Sequence, residues 1–158
     1  MKRVMTVVAG LGVLLAACGE TPPTISVGKD PRMLSGHWVG SVRASAETAE
    51  VPLDLNFTAT YVDARQFTVT GSGTLDGQAV TLNGTVKGNA DMFVQYTPPL
   101  PKFNMQGDLN VAGAAGDLGT LNVLQYVSGD APVSGVFYRV AWKPKGSSTV
   151  SYGGISRR

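Results

Sequence analysis

The stretch from Val51 to Val62 restricts the possible folds more than any other part of the chain. Val51, Leu53, Leu55, Phe57, Ala59 and Tyr61 alternate with Pro52, Asp54, Asn56, Thr58 and Thr60. A helix would scatter that apolar set around its circumference, whereas a strand gathers it on one face. The same period of two marks Gly36–Ala46, Gln66–Leu75, Gln78–Gly88, Asp91–Thr97, Lys102–Ala112, Gly119–Val127 and Val133–Trp142. Asp76-Gly77 between two of these runs is a strong two-residue hairpin signal, and Gly88-Asn89, Gly113 to Asp117 and Ser128-Gly129-Asp130 are good turn material. Asp63-Ala64-Arg65 is a weaker one. Pro98-Pro99-Leu100-Pro101 cannot pair in a sheet and predicts a stiff protruding loop.

Eight sequential strands with short connections predict an all-β fold, an eight-stranded antiparallel up-and-down β-barrel. Closing the sheet removes its adhesive edges. A β-sandwich is the alternative, but it usually needs longer crossing connections, and none is visible. In the barrel, Trp38, Tyr61, Phe67 and Arg139 fall at one end and form a floor. Gly40, Gly71, Gly84 and Gly107 fall at mid-height on the inner face with Phe57. Val51, Leu75, Val80, Tyr96, Phe103 and Val127 ring the opposite mouth. One possibility is a roomy waist beneath an apolar mouth, with Phe57, Tyr96, Phe103, Met105 and Gln125 as ligand contacts. The other is that the glycines only let the strands coil sharply and side chains fill the space.

Gly36-His37-Trp38 on the first strand, with Arg139 near the end of the last, resembles the signature of the calycin superfamily of lipocalins and avidins. The resemblance implies a barrel floor closed by the Trp, with a basic side chain from the final strand packed across it. Cation–π attraction gives that packing a physical basis.

The first 18 residues have a different character. Met1-Lys2-Arg3 precedes an apolar stretch from Val4 to Ala17, too short for a membrane span, which needs about 20 residues. Leu15-Ala16-Ala17-Cys18 resembles the lipobox of bacterial lipoproteins at all four positions. The resemblance implies cleavage of residues 1–17, a diacylglyceryl thioether on Cys18 and acylation of the new amino group. Gly19, in place of Asp, implies onward export to the outer membrane if the host has two membranes; in a one-membrane host the anchor stays on the outer face. Residues 18–34, with Pro22, Pro23 and Pro31, read as a flexible tether, 35–142 as the barrel, and 143–158 as a basic, loose tail.

Loss of Lys2 and Arg3 leaves 13 − 2 = 11 basic side chains against 11 acidic ones, so nucleic acid is not an expected partner. The basic tail could touch anionic lipid headgroups, though such tails are more often only solvated. His37 is the only histidine and Cys18 the only cysteine, so no nitrogen–sulfur metal site, disulfide or metal cofactor is expected. Ser41, Ser72 and Ser134 have no base but His37, and Asp54 and Asp108 alternate onto the outer face. No enzyme is predicted. The expected function is a lipid-anchored envelope barrel that binds an apolar or amphipathic small molecule. The rival is binding of another envelope protein through the Pro98–Pro101 loop or the outer barrel face.

Overall fold

The computed structural model describes residues 24–25, 29–90, 103–127, 131–132 and 137–158. Its elements in chain order are β1 (Thr24–Ile25), a 3-10 turn (Pro31–Met33), β2 (Gly36–Arg43), β3 (Val51–Tyr61), β4 (Gln66–Leu75), β5 (Gln78–Ala90), β6 (Phe103–Gly113), β7 (Gly116–Val127), β8 (Ala131–Pro132), β9 (Phe137–Pro144) and β10 (Ser151–Arg157). Eight of the strands close an antiparallel up-and-down barrel in the order β10-β2-β3-β4-β5-β6-β7-β9, with β9 and β10 paired to complete the ring. β1 and β8 pair separately. Closure leaves no open sheet edge and excludes the sandwich.

The count of eight agrees with the sequence, but the membership does not. Asp91–Thr97 lies outside the described residues, and β5 pairs directly with β6 from Thr81↔Ala112 to Ala90↔Phe103. The eighth place belongs to β10, inside the segment expected to be a loose basic tail. This change reverses the direction expected of β6, β7 and β9. Phe103 and Val127 therefore stand opposite each other at the Trp38 end, while Val51, Leu75 and Val80 do lie at the other end.

The hairpins show how local chemistry sets the ring. Leu75 pairs with Gln78, so Asp76-Gly77 is the whole loop, with φ of 51° and 73°. Positive φ at both central residues is what a strand-compatible two-residue turn requires. The Ala64 and Arg65 corner has φ of 40° and 65° without a glycine.

The barrel interior is occupied by side chains. Trp38, Phe67, Val69, Val86, Met105, Leu109, Val111, Leu121 and Ile155 are all fully buried. The inward glycines sit where backbones nearly touch. A Cβ on Gly40 would lie 1.9 Å from the Gly154 carbonyl oxygen, and one on Gly107 would lie 2.0 Å from that of Thr85. These residues let the strands coil sharply into a narrow barrel.

Candidate functional site

The Trp38 end of the barrel is closed by the chain's own N-terminal segment. Asp30 caps the 3-10 turn by accepting from the Arg32 backbone N–H at 2.9 Å, and its carboxylate also pairs with the Arg32 guanidinium. Those bonds hold the Asp30 carboxyl below its usual range. The turn inserts Met33 and Leu34, both buried, across the barrel end. The tether predicted to run to Leu34 is therefore docked from Asp30 onward.

Four successive carbonyls of this plug are each taken by a side chain from the barrel. Arg157 donates through Nη2 to the Arg32 carbonyl and through Nη1 to that of Ser35. Tyr138 Oη donates to the Met33 carbonyl at 3.2 Å, and Trp38 Nε1 donates to that of Leu34 at 2.7 Å. Buried carbonyls without such partners would be costly, so these three side chains fix the plug. They also pack on one another. The rings of Trp38 and Tyr138 meet edge to face with centroids 5.1 Å apart, and the Arg157 guanidinium carbon lies 4.7 Å from the Trp38 ring centroid. Burial pushes the Tyr138 phenol far above its ordinary value, with Arg157 opposing. Burial lowers Arg157, with Tyr138 opposing.

The basic residue over Trp38 is thus Arg157 and not Arg139. On β9 the inward positions are Tyr138, Val140 and Trp142, and Arg139 is exposed on the outer wall. Tyr61 and Phe67 do lie at this end, paired across β3 and β4 with ring centroids 5.4 Å apart.

Among the proposed ligand contacts, Phe57 is buried and its ring centroid lies 6.5 Å from that of Trp38. Met105 is buried and stands opposite Gln125 in the β6–β7 ladder. On the other side the β7–β9 ladder ends at Leu124↔Arg139, one residue before Gln125. Met105 and Gln125 thus belong to the Trp38 end, not to a mouth opposite it, and Phe57, expected at mid-height, packs toward the same end. Phe103 holds its strand position across from Val127, while Tyr96, Cys18 and the Pro98–Pro101 loop lie outside the described residues.

Gln125 is the only polar residue in the barrel core among the described residues, and its side-chain Oε1 is buried with no hydrogen-bond partner. An acceptor left in that condition costs about 1–3 kcal/mol, so a structure that keeps one calls for a reason. Arg157 Nε is also buried without a partner, but the two Nη groups of the same guanidinium are engaged.

The outer wall carries a different set. His37 Nε2 lies 2.7 Å from Asp54 Oδ1 across β2 and β3. A groove of about 330 Å³ follows the β2–β10 seam, lined by Ser41, Arg43, Glu50, Tyr152, Gly153 and Gly154, with Tyr152 65% exposed. No group of three or more potential metal-ligating side chains occurs among the described residues.

Sequence reasoning found Trp38, Phe57, Met105 and Gln125 by strand parity, and missed Tyr138, Arg157 and the plug. Ile155 and Arg157 share strand parity, which was the available signal, but Gly153-Gly154 concealed it as apparent looseness. No protein-family model, no curated protein and no solved structure matches this chain.

Proposed function

We propose that this chain is a lipid-anchored envelope protein whose barrel takes an apolar or amphipathic small molecule at the Trp38 end, where it displaces the buried Met33 and Leu34 side chains from the closed interior. The observation that carries the reading is Gln125 Oε1, an acceptor without a partner among the described residues, within a core whose other described members are apolar. A ligand with one hydroxyl or amide N–H and an apolar body supplies the missing donor and matches Met105 and Phe57. The anchor rests on the Leu15-Ala16-Ala17-Cys18 leader sequence. Two or more acyl chains hold stably where one chain holds only marginally.

Thermal unfolding in the presence of a long-chain alcohol and the matching alkane tests the role of Gln125. The alcohol is expected to raise the melting temperature more than the alkane does, by linkage of binding to folding. That difference should vanish in Gln125→Leu. No shift with either compound would contradict the reading.

The seam groove favours a second reading, an envelope protein bound on the outer wall, because it exposes Tyr152 beside Arg43 and Glu50. A photocrosslinker at position 152 should then capture one abundant partner in cells. A spread of unrelated adducts would count against it.

A further inference from the structure

The two ends of the barrel differ in charge and in their relation to the tether. The turn and plug residues at the Trp38 end, together with the strand ends there, carry Lys29, Arg32, Arg65, Lys87, Arg157 and Arg158 against Asp30 and Asp63 among the described residues. At the other end, Arg43, Lys143 and Lys145 face Glu47, Glu50, Asp76 and Asp117. Among the described residues one end is thus strongly basic and the other slightly acidic, although the chain without residues 1–17 is neutral as a whole.

The tether leaves from the basic end. β1 pairs with β8, which lies in the connection between β7 and β9, and Val127 and Phe137 bound that connection at the Trp38 end. Thr24 is six residues beyond Cys18, a span of at most about 20 Å. The plug then binds the chain to the same end a second time through Trp38, Tyr138 and Arg157.

From this coincidence we infer that the basic Trp38 end docks on an anionic bilayer surface, with the 44–50, 76–77 and 145–150 turns facing away. The inference rests on the reading of Cys18 as the lipidated residue. Anionic headgroups attract basic side chains held within a Debye length, and the short tether keeps them there. A tether alone would leave the barrel free to tumble; the charge difference selects one orientation.

Energy transfer from the barrel to the membrane tests the orientation. Val62→Cys and Ala46→Cys place a maleimide donor on exposed turns at the basic and acidic ends respectively, about 25 Å apart along tilted strands. The Cys18 thiol, tied up as a thioether, does not react. The acylated protein is inserted into vesicles of phosphatidylcholine, with or without phosphatidylglycerol, bearing a headgroup acceptor.

Transfer from position 62 is expected to exceed that from position 46 by at least about twofold on the anionic vesicles. The gap should narrow on phosphatidylcholine alone, in about 0.5 M salt, and in Lys87→Glu. Equal or reversed transfer on anionic vesicles, with acylation confirmed by mass, would overturn the orientation and leave the anchor standing. A Cys18 that carries no acyl mass in protein from the native host would overturn both.

Discussion

Three side chains decide how the barrel end is closed, and Arg157 is the one the sequence concealed. Its guanidinium bonds two plug carbonyls and lies over Trp38. Arg157→Leu should therefore lower stability by about 2 kcal/mol. Arg139→Leu, on the exposed wall, should stay within about 0.5 kcal/mol of the parent. Denaturant titration of the two variants checks the assignment, and the reverse ranking would restore Arg139. Tyr138 adds a pH dependence. Its folded-state value is raised above the ordinary 10.0 by burial, so above that pH the unfolded chain releases a proton that the folded chain retains. Stability should fall as pH rises through this range, by up to about 1.4 kcal/mol per unit for this group. Tyr138→Phe should flatten that alkaline limb, measured as the difference between two denaturation series. Gln125 was legible because parity puts it inside. Its lack of a partner was not, since that depends on which neighbours reach it.

At the scale of elements, legibility followed hydrophobic alternation. β3, β4 and most of β5, β6 and β7 present an apolar residue or a glycine at every second position, and each forms a strand over the residues so marked, though β6 and β7 run opposite to the expected direction. The 91–97 run has the same appearance but lies outside the described residues. β10 failed for the opposite reason. Ile155 is its one buried residue, Gly153 lies exposed in the seam groove, and a Cβ on Gly153 would lie 1.9 Å from the Ser41 carbonyl oxygen. A seam where backbones meet this closely admits no apolar side chain there, and so leaves no period to read. Removing residues 151–158 should expose the facing edges of β2 and β9, which β10 otherwise pairs. Self-association follows from unpaired edges of that length. The truncated protein is expected to sediment as aggregates under conditions where the full chain is monodisperse, and a monodisperse, folded truncation would show that β10 is dispensable.

For the molecule as a whole, the fold class could be derived because eight short strands with tight turns have few solutions, and a closed ring is the one that leaves no edge. The floor could be placed only roughly, because its plug comes from a Pro-containing segment with little pattern of its own. The resulting picture is a narrow barrel whose interior among the described residues is apolar with one buried unpartnered acceptor, and whose basic end is closed by the 30–35 segment. Its central claim is that the acceptor serves a bound molecule. Native mass spectrometry of the protein taken from its own host membrane tests this most directly. The parent should show the mass of the acylated chain plus a small apolar compound, with the compound lost in Gln125→Leu. The mass of the acylated chain alone in the parent would contradict it.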